Sequence, residues 1–156
     1  MPIPKLPIDG SCRCGEIRFR ISAAPLVTMA CHCKGCQKMS ASAFSCSAAI
    51  PAGGFEVTAG KPVIGGMHGD DVHHYHCSRC KSWLYTKATG MDGFVNIRPT
   101  MLDDADWFAP FIETFTSTKF PWANTGATHS FAEFPPMDAY EGLVGDYRAQ
   151  AGSDDR

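Results

Sequence analysis

Apolar and polar residues alternate with a period of two along Glu16-Ile17-Arg18-Phe19-Arg20-Ile21, the pattern of a half-buried strand whose side chains face opposite sides in turn. Leu26 to Ala30, Phe44 to Ile50 and Phe55 to Ala59 read in the same way, with Gly53-Gly54, Gly60, Pro51 and Pro62 as punctuation. Further on, His73 to His76, Trp83 to Lys87, Phe94 to Arg98 and Phe111 to Thr116 are rich in aromatic and β-branched residues. Helical periodicity is scarce. One short turn is expected from Cys36 through Met39, and another from Asp103, where Asp103, Asp104 and Asp106 would occupy a first turn. The pattern predicts a mainly β protein with short helical turns. Pro2, Pro4 and Pro7 predict an extended arm over residues 1–9, and the polar run from Arg148 predicts a flexible tail over 148–156. Nothing between them reads as a linker, so one domain is expected over residues 10–147.

Composition narrows the function classes. A chain of 156 residues, 44% hydrophobic and with a net charge of −2, is large enough to bury its own core as a soluble globule. No apolar run approaches the ~18 residues of a membrane span. The 14 lysines and arginines are scattered and outnumbered by 16 acids, which argues against a nucleic-acid surface. MPIPKLPIDG lacks the basic start, apolar core and cleavage site of a secretory leader, so a reducing cytoplasmic setting is expected.

In that setting the cysteines change the picture. Seven of the eight fall into three clusters: Cys12 and Cys14, then Cys31, Cys33 and Cys36, then Cys77 and Cys80. Thiolates one or two residues apart can close on one cation through a tight turn, and Zn²⁺ takes up to four of them. Two pairs make one closed set, and a triplet makes a set with one position open. A disulfide framework and a redox Cys-x-x-Cys are the alternatives. Neighbours this close bond poorly to each other in a structural role, and a reduced compartment favours metal ligation.

Three segments in order, G-S-C-R-C-G-E-I-R-F, C-H-C-K-G-C-Q-K-M-S-A-S-A-F and C-S-R-C, resemble the glutathione-dependent formaldehyde-activating family, also described as the CENP-V/GFA domain. The resemblance covers roughly residues 10 to 122. It implies a zinc-binding fold of the Mss4-like (β-tent) type with two zinc ions per chain. Cys12, Cys14, Cys77 and Cys80 would hold a structural zinc, and Cys31, Cys33 and Cys36 a second zinc near the substrate. A physical argument points the same way. Knuckles more than sixty residues apart gain most from a metal clip, because closing a long loop is what costs entropy. The triplet spans six residues, restrains little of the fold, and tolerates an incomplete shell.

Other donors remain open. Cys46 can in principle complete the triplet, although a lone cysteine in an alternating strand is more often a small buried side chain. His32, His73, His74 and His76 are also near. Consecutive residues of an extended chain face opposite ways, so His32 is expected to face solvent or to be hydrogen-bonded, and His76 to be a strand residue.

The resemblance further implies an activity: addition of the glutathione thiol to formaldehyde to give S-(hydroxymethyl)glutathione, formally a carbon–sulfur lyase reaction in reverse. A related small thiol or aldehyde, or a non-catalytic zinc module binding a small thiol or a protein, is the alternative. Lys34, Lys38, Arg79, Lys81 and Arg98 are cations able to pair with the thiol's carboxylates. Trp122 is expected mainly in core packing, with a pocket wall as its second role. One departure stands out. Lys81 follows Cys80 where the family usually has glycine, at a turn that often needs positive φ.

Overall fold

The computed structural model describes residues 3–153. In chain order the strands and helices begin with β1 (Ile8–Ser11), β2 (Arg18–Ile21), β3 (Val27–Cys31), α1 (Lys34–Ser40), β4 (Ser45–Pro51), β5 (Phe55–Ala59) and β6 (Val63–Gly65). They continue with β7 (Val72–His76), β8 (Trp83–Ala88), β9 (Phe94–Ile97), β10 (Ile112–Thr114), β11 (His129–Ser130) and α2 (Tyr140–Ser153). The mainly β reading holds. No helix among the described residues is long and apolar enough to cross a membrane.

The chain forms two compact units interleaved in sequence. The first gathers Leu26–Ser47 with the segment from Trp107 onward; the second gathers Pro4–Pro25 with Ala48–Asp106.

In the first unit β10 pairs in parallel with both β3 and β11, with Thr114 beside Cys31 and Glu113 beside Ala30. Parallel neighbours need long crossovers, and here β3 and β10 lie some eighty residues apart. Phe111 N–H donates to the Thr28 carbonyl at 3.1 Å, and the Thr28 hydroxyl donates to the Ala109 carbonyl at 2.6 Å, which fixes the register. Helix α2 buries Leu143 and Tyr147, and the Tyr147 ring meets Phe111 edge-on at 5.4 Å. Residues four apart share one helical face.

In the second unit β1, β2 and β5 form an antiparallel sheet, and β9, β8, β7 and β6 form an antiparallel run joined through β9 to Ala48–Pro51 of β4. The alternation in β2 is realised. Ile17, Phe19 and Ile21 are buried, while Arg18 and Arg20 reach solvent and pair with Asp103 and Asp9. Phe55 carries the core across, its ring 5.8 Å from Phe19 and 4.8 Å from Tyr85. Gly60, at φ +75°, lies so close to the Glu16 carbonyl that an added Cβ would sit 2.5 Å from it. That contact holds the end of β5 against the first cysteine knuckle.

Several expectations change. No helix starts at Asp103: its N–H donates to the Asp9 carbonyl, and the Asp104 carboxylate accepts from Asp106 N–H instead. Short acidic side chains that bond nearby backbone compete with a helix. The expected tail is helical through Ser153, and residues 154–156, like residues 1 and 2 of the arm, lie outside the described residues. Trp122 is no core residue; it is 74% exposed.

Candidate metal centres

The first centre lies wholly within the second unit. Cys12 follows β1, Cys14 follows one turn later, and Cys77 and Cys80 follow β7. All four sulfurs lie within 4.8 Å of one another, with Cys12 to Cys14 at 3.6 Å and Cys14 to Cys77 at 3.8 Å. A tetrahedron with sulfur arms of about 2.3 Å has edges of about 3.8 Å, so the spacing fits one ion at the middle.

Both knuckles are built alike. Cys12 N–H donates to the Ile17 carbonyl and Cys77 N–H to the Ser82 carbonyl, closing each loop at 3.1 Å. Inside the loops Gly15 N–H returns to the Cys12 carbonyl and Lys81 N–H to the Cys77 carbonyl, both at 3.0 Å. Gly15 takes φ +79° and Lys81 takes φ +63°, so Lys81 occupies the left-handed position that glycine fills in the other knuckle. Sulfurs accept from backbone: Ile17 N–H lies 3.3 Å from Cys12 Sγ and Cys80 N–H 3.5 Å from Cys77 Sγ. Arg13 N–H reaches Ser82 Oγ at 3.0 Å and stitches one knuckle to the other. The Ser82 hydroxyl, 3.2 Å from Cys80 Sγ, helps hold that thiol down at about 5. Cys14 accepts from the Glu16 backbone, yet burial and the neighbouring thiols push it up to about 11.

The second centre lies wholly within the first unit. Cys31 ends β3, Cys33 caps α1, and Cys36 stands one turn inside it. Cys33 Sγ accepts from Cys36 N–H at 3.3 Å, a capping bond made by a thiol. The three sulfurs again lie within 4.8 Å, each half-buried, and among the described residues no further histidine, cysteine or acid joins the set. The hydrogen bond with Cys36 holds Cys31 down to about 5 despite burial, with Thr114 assisting, and the same contact pushes Cys36 up. Ser45 bonds to Cys36, which turns Cys46, the next residue of β4, to the opposite face of the strand; Cys46 does not complete the triplet. None of the eight cysteines is in a disulfide.

His32 is hydrogen-bonded as one of its two expected fates, and it is fully buried rather than solvent-facing. Its Nε2 lies 2.9 Å from the Glu113 carboxylate. That carboxylate also accepts from Lys119 Nζ at 3.1 Å, Thr125 Oγ1 at 2.9 Å and Ser130 Oγ at 2.7 Å. Ser130, Thr125, His32 and Lys119 together outweigh burial and hold Glu113 down at about 2. The His32 backbone is fixed too. Its N–H donates to Thr114, and its carbonyl accepts from Gln37 Nε2 at 2.8 Å and Thr118 Oγ1 at 3.0 Å. Sequence reasoning missed Glu113, because a glutamate between Ile112 and Thr114 reads as the solvent side of a strand. All three are buried.

The other histidines join neither centre. His76 is in β7 and stacks on Trp83, His73 contacts the Asp70 carbonyl, and His74 is buried between Thr86 and His68. Burial, with Arg98 nearby, holds His74 down to about 4. Arg98 itself lies over the Trp83 ring at 3.5 Å and donates to Thr86 Oγ1 at 2.7 Å, so it is a buried structural cation. Of the remaining cations considered, Arg79 and Lys81 are exposed on the third knuckle and Lys34 and Lys38 on α1.

Comparison with known proteins agrees with this arrangement. The model of the family described as glutathione-dependent formaldehyde-activating enzyme matches residues 7–118. A crystal structure of a Rhodobacter sphaeroides structural-genomics protein superposes with a TM-score of 0.51 at 15% identity, covering 61% of this chain and 87% of that one, a likeness of fold. No curated protein matches.

Two outcomes follow from this geometry. Lys81→Gly relieves left-handed strain at the cost of unfolded-state freedom and an exposed bond from Lys81 to the Ser78 carbonyl; a net gain of up to about 1 kcal/mol is expected in urea unfolding of metal-loaded protein. Glu113→Gln keeps shape but removes the buried charge, so a loss of about 3 kcal/mol at pH 7 is expected. The folded carboxyl titrates near 2, below its unfolded value, so its contribution is present above about pH 4.5 and fades as pH falls towards 2. The gap between wild type and variant in unfolding free energy should shrink over that window.

Proposed function

The chain belongs to the glutathione-dependent formaldehyde-activating family, and from that premise we propose that it is a zinc enzyme joining a small thiol such as glutathione to formaldehyde or a related aldehyde. In this reading residues 10–147 form the zinc-binding domain, and a reducing cytoplasm keeps its cysteines reduced. Cys12, Cys14, Cys77 and Cys80 hold a structural zinc, whose closed shell leaves no place for a ligand. Two of the four, Cys12 and Cys77, are almost wholly buried, which suits a role in holding the fold.

The observation that carries the proposal is the triplet: three sulfurs gathered for one ion, with a fourth corner that no described side chain claims. When bound there, zinc supplies an open position for a soft ligand and lowers the pKa of a thiol that takes it. The three thiolates make the set anionic, which favours exchange of a thiol over making hydroxide. The chain's own part is to hold this set still. Glu113 fixes the His32 ring, Gln37 and Thr118 fix the His32 carbonyl, and Thr114 and Ser45 bond to Cys31 and Cys36. In the reaction the thiol sulfur forms a bond to the aldehyde carbon, the carbonyl π pair moves to oxygen, and the thiol's proton ends on that oxygen. The reverse step makes the protein a carbon–sulfur lyase.

Metal analysis should find two zinc ions per chain. Cys12→Ser or Cys80→Ser is expected to unfold the second unit, whereas Cys33→Ser should stay folded and retain one zinc; collapse of the Cys33 variant would remove the distinction between the two centres. For activity, S-(hydroxymethyl)glutathione should form faster with protein than in a protein-free blank, and Cys33→Ser should lose that advantage. Equal rates with and without protein, together with no glutathione binding, would point instead to a zinc module without catalysis.

A further inference from the structure

The histidines that join neither metal centre form a device of their own in the second unit. Thr86 Oγ1 has three polar neighbours: Arg98 Nη2 at 2.7 Å, Trp83 Nε1 at 3.2 Å and His74 Nδ1 at 2.8 Å. A guanidinium and an indole N–H only donate, so they take both lone pairs of the hydroxyl, and its one proton goes to His74 Nδ1. The proton of His74 itself is thereby placed on Nε2. That nitrogen lies 3.2 Å from His68 Nδ1, which must accept. Counting donors fixes both tautomers and leaves no room for another proton in the chain of bonds. A second proton on His74 would face the Thr86 O–H, and one on His68 Nδ1 would face the His74 N–H.

His68 stands at the tip of the connection between β6 and β7, flanked by Gly66 at φ +73° and Gly69 at φ +68°. Both backbone positions suit only a residue without a Cβ, and they give the tip a hinge on either side. Little else holds this stretch down. Ile64 is 60% exposed and Met67 98%, and β6 pairs with β7 over three residues only. Beyond Gly69 the chain is pinned again, the Asp70 carbonyl meeting His73 Nε2 at 3.0 Å and the Asp71 carbonyl accepting from Thr89 N–H at 2.8 Å. His74 is buried, its ring edge-on to Trp83 at 4.9 Å. The elements around it are all accounted for: Gly65 of β6 lies opposite it, β8 sets Thr86 and Trp83 against it, Arg98 comes from the end of β9, His68 from the tip, and His76 and His73 from its own strand. The charges acting on the ring from these groups are cationic, so they oppose a proton there.

We propose that residues 63–69 are an acid-released strap: the bond between His68 and His74 closes it at neutral pH, and a proton taken up by that pair opens it, baring β7 as a free sheet edge. Burial, with Arg98 next, holds His74 down at about 4 in the closed form, against about 6.5 for a solvated imidazole. The open form therefore takes its proton first. Opening is favoured progressively as pH falls from about 6.5 towards 4, and closure is fully restored above that window.

Hydrogen exchange of zinc-loaded protein, corrected for the intrinsic rate at each pH, reads the opening. Between pH 7 and 5.5 the amides of residues 63–69, and the β7 amides that pair with β6, should exchange roughly 10-fold faster, while those of β1 and β2 in the same unit keep their rates. His68→Ala should exchange fast at both pH values. His74→Gln, whose amide can still donate to His68 but takes no proton, should stay protected at both. Equal acceleration throughout the second unit would mean general acid unfolding and overturns the strap, as does a wild type with no pH response or a response that survives in His74→Gln. Long-range proton–nitrogen spectra at pH 7 read the tautomers in the unaltered chain: His74 is expected with its proton on Nε2 and His68 with a bare Nδ1, and a proton on His74 Nδ1 overturns the assignment.

Discussion

Thiolates do not crowd together without a cation, and this single electrostatic fact organises the molecule. Four sulfurs in the second unit and three in the first lie at distances that suit a shared ion and that bare anions would resist. Within the triplet the thiols act on one another directly: the hydrogen bond with Cys36 holds Cys31 down, and the same contact pushes Cys36 up. An ion held by the four sulfurs of the second unit would join residues sixty-odd positions apart and so link metal capture to folding.

The triplet is organised differently. Its ligands are neighbours in sequence, so the fold's contribution is to support them from behind. Glu113 does this with a fully engaged carboxylate: a histidine, a lysine and two hydroxyls all converge on it. Such a network leaves the backbone of the triplet loop little freedom to relax. Partners of metal-binding segments commonly orient the ligands they touch. Here the partner acts through His32, a residue inside the motif that is not itself a ligand.

Much of this was legible in the chain. Period-two alternation located four of the strands and β-rich composition four more, and the cysteine spacing named both sulfur sets, because these signals are local. What escaped was either non-local or masked. Helix α2 was hidden by Gly142, Gly145 and Gly152, poor helix residues that sit on its exposed side and leave Leu143 and Tyr147 to dock it. Glu113 was hidden because its partners come from four separate segments. The Asp103 turn misled because acidic residues suit a helix start and an Asx turn equally well. Trp122 misled in the other direction, since an indole between proline and alanine reads as core until its neighbours are known.

The separation between His32 and Glu113, 81 positions along the chain, sets an order of events during synthesis. Cys31, Cys33 and Cys36 emerge from a ribosome almost together, while Glu113 follows roughly 4–16 s later at about 5–20 residues per second. The closed set is complete only when Cys80 has emerged. A nascent chain therefore presents the three thiols together well before the support that fixes their shape exists. An ion bound at that stage would be chosen by availability and thiophilicity, before the finished fold could select among metals.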